Sequence, residues 1–166
     1  MIRRLVSLAS VIFLGTDCTS PTGPRPAVEL RTNAVAYAAQ LVEGTQGPSR
    51  YAFDVVVGTR NTGREPVTIA RCRAEDPMPI FGIELDGGTD PFGAAYDGVW
   101  ACPTAAPFVL PAGEARVDTL RIVGPNAFDG FTHKPYGALS GVMRVMYEID
   151  GARVRSNRFD VSLRDE

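Results

Sequence analysis

The sequence predicts an all-β fold of seven to nine short strands, a sandwich or a barrel, on three observations. Apolar residues of the body alternate with a period of two rather than 3.6, which puts the larger side chains on one face of extended strands. Asp150-Gly151 stands between two such runs, where both residues tolerate the positive φ of a tight primed hairpin turn. Seventeen glycines and thirteen prolines break the chain at short intervals, as many short strands require.

Taken in order, residues 1–17 have the parts of an export signal: Arg3 and Arg4, an apolar run over 5–14, and a small-residue exit at Gly15 and Thr16. A helix of that run covers roughly 15 Å against a hydrocarbon core of about 30 Å, so it is a signal rather than an anchor. Cys18 follows, and residues 18–26 form a Thr/Ser/Pro/Gly tether. This order resembles a bacterial lipoprotein signal, which implies that Cys18 carries the lipid and that the protein is exported and held at the cell envelope, in the periplasm or at the surface. That family places a small uncharged residue before the cysteine, and Asp17 stands there instead. A soluble periplasmic or secreted form is the alternative.

The body, residues 27–166, is one domain. Residues 28–32 run on through 34–42 as strand; the Ala-rich stretch there keeps Val35, Tyr37 and Val42 near alternation and lacks a helix cap. Tyr51, Phe53, Val55 and Val57 alternate next, residues 60–66 make a turn, and residues 67–72 return. Residues 80–86, 99–102, 108–110 and 115–123 are further strands. Met143, Val145, Tyr147 and Ile149 lead into the Asp150-Gly151 hairpin. The returning strand carries Phe159, Val161 and Leu163 inward, but Val154 has the opposite parity, so a bulge is predicted near Ser156 and Asn157.

The alternating strand, then Arg60-Asn61-Thr62-Gly63-Arg64-Glu65-Pro66-Val67, a strand ending in a cysteine, Trp100 near a second cysteine, Leu110-Pro111-Ala112-Gly113-Glu114 and the final hairpin together resemble bacterial immunoglobulin-like domains. The nearest pattern is the intracellular proteinase inhibitor type of bacilli and the lipoprotein domains built like it. The resemblance covers roughly residues 27–163. It implies an immunoglobulin-like β-sandwich with Greek-key connections, and a proteinase inhibitor or chaperone-like accessory role as an alternative function.

The cysteines fit an exported chain. With Cys18 acylated, Cys72 and Cys102 are left to pair in an oxidising compartment, and closing a loop of that length stabilises by about 3 to 4 kcal/mol. Two buried free thiols are the other reading. Four zinc ligands do not assemble from two cysteines and one histidine without CxxC spacing.

Removing residues 1–17 takes two arginines and one aspartate from 17 basic and 19 acidic residues, leaving 15 and 18 and a net charge of −3. No basic stripe with interleaved aromatics is present to hold a phosphate backbone, so nucleic acid is not an expected partner. The sole histidine, His133, sits in a loop with no serine or cysteine nucleophile in an activating pattern. Gly137-Ala138-Leu139-Ser140-Gly141 misses the GxSxG spacing by one residue. Asp86, Asp90 and Asp97 lie in a Gly-rich loop without EF-hand spacing, and turn chemistry accounts for them. No enzyme activity, cofactor or metal is expected, with a small hydrolase as the remote alternative.

Two long loops hold aromatics: 86–98 with Phe92 and Tyr96, and 124–140 with Phe128, Phe131 and Tyr136. Loops at the end of a sandwich carry recognition, and aromatics among glycines make a contact patch. The same side chains can instead fold back over the open ends of the core. The expected function is a non-catalytic binding or structural module of the envelope, monomeric, with a protein or envelope component as partner.

Overall fold

The computed structural model describes residues 27–42, 49–88, 93–96, 98 and 106–164. Among them there is no helix. Ten strands form a curled mixed sheet: β1 (Val28–Thr32), β2 (Ala36–Val42), β3 (Arg50–Asn61), β4 (Val67–Ile69), β5 (Phe81–Leu85), β6 (Phe108–Leu110), β7 (Ala115–Gly124), β8 (Gly141–Ile149), β9 (Ala152–Arg155) and β10 (Phe159–Arg164). The strand at 99–102, the tether, Cys18 and Cys102 lie outside the described residues.

Strand β3 organises one half of the sheet. Phe53, Val55, Val57, Thr59 and Asn61 are buried while Asp54 and Arg60 are exposed, the period-two pattern read from the sequence. All of it but the two end residues pairs antiparallel with β7, from Tyr51 opposite Gly124 to Arg60 opposite Ala115. Its other edge is shared: β1 takes Val57–Asn61 and β2 takes Arg50–Ala52. Between those segments Asn33 stitches the chain to β3, its N–H donating to Val56 O (2.9 Å) and its Oδ1 accepting from Val56 N–H (3.3 Å). The Ala-rich stretch is therefore a strand: β2 starts parallel to β10, with Ala36 opposite Asp160, and joins β3 only at its end, over Gln40–Val42.

Strand β8 organises the other half. The turn after it has Asp150 at φ 49° and Gly151 at φ 73°, the two positive values of a primed hairpin. Asp150 Oδ1 also accepts from Thr68 N–H and Oγ1–H, both at 2.8 Å, which ties the hairpin to β4. Arg155 faces Met146 and Phe159 faces Met143, so residues 156, 157 and 158 oppose only Arg144 and Val145. One extra residue in the returning strand is the bulge expected from the parity of Val154, and Ser156 fills it by accepting Val145 N–H on its Oγ (3.0 Å).

One reading changes. Residues 67–72 do not run on as a single strand, because Ile69 faces Ile149 while Phe81 already faces Tyr147. Strands β4 and β5 thus lie along the same edge of β8, and residues 70–80 leave the sheet between them. Ala70 N–H on Glu148 O (2.9 Å) and Ile80 N–H on Ala70 O (2.7 Å) close the neck of this excursion. Cys72 sits on it, half-buried and already engaged with a group outside the described residues.

Valines, isoleucines and aromatics of both halves meet in one core. Two buried polar side chains there differ in kind. Asn61 donates from Nδ2 to Glu65 O (2.8 Å) and Leu110 O (3.0 Å) and accepts Gly63 N–H on Oδ1 (2.9 Å), so it caps the turn after β3. Thr59, 1% exposed, has an Oγ1 with no hydrogen-bond partner. Thr59→Val keeps the shape and β-branching and removes that hydroxyl, so it is expected to raise stability by about 1 kcal/mol in urea unfolding. A loss of stability would mean that Thr59 Oγ1 has a partner in solution.

Candidate functional site

The two ends of the molecule differ. Val28 pairs with Asn61, so the chain enters from residues 1–27 at the pole where β3 ends. Gly124 pairs with Tyr51 at the other pole, where β7 gives way to the loop 125–140. A strand rises about 3.3 Å per residue, so the twelve residues of β3 hold these poles roughly 35–40 Å apart.

At the far pole the two aromatic loops are joined. Ala95 N–H donates to Ala138 O (2.9 Å), Asn126 N–H to Ala95 O (3.3 Å) and Ala138 N–H to Gly93 O (3.1 Å). Arg50 Nη2 donates to Asn126 Oδ1 (3.3 Å), which adds the start of β3.

The segment 127–136 is a hydrogen-bonded finger. Phe128 and Pro135 form an antiparallel bridge, Tyr136 N–H donates to Ala127 O (3.0 Å) and Asp129 N–H donates to Lys134 O (2.9 Å). Its tip is organised by Asp129, whose Oδ1 accepts from Thr132 N–H (2.7 Å) and Phe131 N–H (2.8 Å), an Asx turn. Those bonds from Thr132 and Phe131 hold the Asp129 carboxyl below its usual range. His133, at φ 53°, closes the turn with its N–H on Asp129 O (3.0 Å). Phe131 projects from this tip with 97% of its surface exposed, and Tyr136 is 46% exposed.

The aromatics of the two loops part company. Phe131 and Tyr136 face solvent, Phe128 is half-buried, and Phe92 and Trp100 lie outside the described residues. Tyr96 is a correction: it is not a contact residue of a binding loop but a core residue, fully buried. Its ring meets Phe53 edge-on at 5.1 Å, and its hydroxyl donates to Leu139 O (3.0 Å). Burial pushes its hydroxyl pKa well up, so it stays a donor.

Asp86 is taken by Arg144 and Arg158, both at 2.8 Å, while Asp90 and Asp97 lie outside the described residues. No cluster of three metal-ligating side chains is present among the described residues. His133 is exposed on the finger. An open groove of about 690 Å³ runs between β1 and β9, over Val28, Leu30 and Val154, with Glu29, Arg153 and Arg155 at its rim. Glu29 there is bonded to Arg31, and Arg155 donates to both oxygens of Glu84 from Nε and Nη2.

A further polar cluster was not singled out from the sequence. Asp118 on β7 is buried, accepts from Arg116 and from the Tyr147 hydroxyl, and Arg116 in turn lies 3.7 Å over the Phe108 ring. Its position in the run 115–123, in phase with Leu120 and Ile122, is the signal that marks it as inward-facing.

No protein-family model and no curated protein matches this chain. Solved structures that resemble it include the structural-genomics target SoR45, at 11% identity and a TM-score of 0.43 over 82% of this chain and 86% of that one. An alkylpurine DNA glycosylase of Pseudomonas fluorescens matches at 16% identity and a TM-score of 0.34, over 81% of this chain and 30% of that one. A β-glucosidase of Listeria innocua matches at 15% identity and a TM-score of 0.35, over 82% of this chain and 16% of that one.

Proposed function

We propose that this chain is an exported, non-catalytic binding module of the bacterial envelope, lipid-anchored through Cys18, which meets a protein partner with the pole opposite its tether. In this reading the curled sheet works as an immunoglobulin-like sandwich with Greek-key connections, β1, β3 and β7 in one layer and β10, β9, β8, β4, β5 and β6 in the other. Strand β2 passes between the layers, which accounts for its antiparallel and parallel partners. A bridge from Cys72 to Cys102 pins the excursion at 70–80, and the engagement of Cys72 supports it.

The observation that carries the reading is Phe131, 97% exposed on a finger whose backbone is fixed by Asp129. A tip whose backbone is already ordered does not have to pay backbone ordering when the large apolar side chain it presents is buried by a partner, which is how a preorganised loop gains affinity. The finger also stands at the pole away from residue 28, where a lipid at Cys18 leaves it directed outward.

The test is capture of a partner from an envelope extract by the mature chain, with intact mass read alongside. Phe131→Ala with Tyr136→Ala is expected to weaken capture by about thirtyfold, the size of an interface hot spot, without moving the melting temperature. The mass should show a diacylglyceryl cysteine at residue 18 and two hydrogens fewer than free thiols at both Cys72 and Cys102 would give. Full capture by the double variant would remove the finger from the interface, and an unmodified start elsewhere would make the protein a free one.

A further inference from the structure

The finger at 127–136 spends its own polar groups inward. Asp129 N–H donates to Lys134 O, Phe131 and Thr132 N–H to Asp129 Oδ1, and His133 N–H to Asp129 O. Lys134 N–H donates to Thr132 Oγ1 (3.4 Å) and Tyr136 N–H to Ala127 O. Pro135 has no N–H to offer, which leaves Gly130 N–H as the one without a partner among the described residues. A partner that adds a strand needs a row of open main-chain groups, so this tip is read through its side chains instead.

Those side chains are of two kinds. Phe131, 97% exposed, supplies apolar surface. Lys134, three residues on, supplies charge: it is the sole lysine of the chain, it is exposed, and its ammonium has no partner among the described residues. The finger's one carboxylate, Asp129, is taken by the N–H groups of Phe131 and Thr132, so Lys134 is the charge left for a partner to meet.

An apolar ring beside one cation has a complement of definite chemistry, a pocket for the ring with a carboxylate at its rim. The neighbours of Phe131 favour such a pocket over a bilayer. Gly130, Thr132 and His133 are exposed around the ring, and a bilayer deep enough to cover Phe131 would take them with it and strip water from their polar groups. A pocket takes the ring and leaves those residues at a wet rim, as an interface anchor does.

We infer that the finger's counterpart is an apolar pocket on a protein, filled by Phe131, with a carboxylate at its edge that pairs with Lys134. This rests on the reading of the finger as the binding element and adds the chemistry of what it binds. Phe131 holds the complex, while the solvent-exposed Lys134 pair acts mainly on encounter and on the choice of partner. Reversing the charge sets a glutamate against the partner's carboxylate, which is the informative change.

The mature chain carrying Cys18→Ala, which takes no lipid, is passed over an immobilised, solubilised envelope extract on a biosensor. Salt is set at about 0.1 M and about 1 M, where the screening length falls from about 10 Å to about 3 Å. Lys134→Glu is expected to slow association about tenfold at the lower salt and less than about twofold at the higher, with Lys134→Gln between it and the wild type. Phe131→Ala is expected to weaken binding at least about tenfold at both. The Lys134 side chain bonds nothing in the finger, so circular dichroism and melting of its variants should match the wild type. Phe131-dependent binding that Lys134→Glu leaves unchanged at low salt overturns the inference and keeps the finger as the binding element, whereas binding indifferent to Phe131→Ala overturns both. Protein-free vesicles of phosphatidylglycerol and phosphatidylethanolamine form the last arm: no binding is expected, and binding lost on Phe131→Ala would make the occupant a bilayer and overturn the pocket.

Discussion

Asp118→Ala is expected to lower the unfolding free energy by about 3 to 5 kcal/mol, the range for removing one partner of a buried ion pair. The Asp118 side chain is 2% exposed, and both its oxygens are in use. Oδ1 accepts from Arg116 Nε (2.8 Å) and Nη2 (2.6 Å), and Oδ2 accepts from the Tyr147 hydroxyl (3.3 Å). Burial, and then the charge of Asp118, push the Tyr147 hydroxyl well above its usual pKa, so it remains a proton donor and needs an acceptor. Alanine leaves that donor dry and leaves the Arg116 guanidinium with only Pro77 O and the Phe108 face. Asp118→Asn keeps the shape and one acceptor, and should lose about 2 kcal/mol. Urea unfolding with an unchanged slope reads both values. A change under about 1 kcal/mol for the alanine variant would mean that water reaches Tyr147 and Arg116 in solution.

Asp118 also shows what kind of information the sequence holds. Its inward position is a matter of parity, legible in the run 115–123 by counting from Leu120 and Ile122, because a side chain's face in a strand depends only on odd or even spacing. The same rule made the bulge at 156–158 legible from Val154 and Phe159 before any pairing was known. What parity cannot carry is which strands share an edge. The apolar runs at 67–70 and 80–85 look like two independent strands, and only the facing pairs Ile69–Ile149 and Phe81–Tyr147 make them two segments along one edge of β8, parted by an excursion. Loops carry still less. Tyr96 and Phe131 are both aromatics in Gly-rich segments with no period to phase them, yet one is buried and the other 97% exposed.

That divergence makes Tyr96→Ala the second large effect, an expected loss of about 3 to 5 kcal/mol for emptying a buried aromatic site. The ring packs edge-on to Phe53 at 5.1 Å, and Phe53 continues to Phe159 at 6.4 Å and Tyr37 at 5.7 Å, so the cavity would open into the centre of the core. Gly124 explains how the ring fits there: a Cβ at that position would stand 2.6 Å from Tyr96 Cδ1, so the end of β7 is kept bare to admit it. Tyr96→Phe fills the same space but leaves Leu139 O without its donor, and should lose about 1 kcal/mol. The loss from Tyr96→Ala would extend to the far pole, because Ala95 bonds both Ala138 and Asn126. Faster hydrogen exchange at the Ala95, Asn126 and Ala138 amides should accompany it, with the β3–β7 ladder protected to the level of the new global stability. Phe131→Ala, which uncovers no core surface, is expected to leave stability and exchange within about 0.5 kcal/mol of the wild type. Equal and small effects for the two alanine variants would place Tyr96 outside the core and return it to the exposed aromatics of the loop. Unequal effects of the expected size divide the pole into a buried base that sets the finger's position and an exposed tip free to bind.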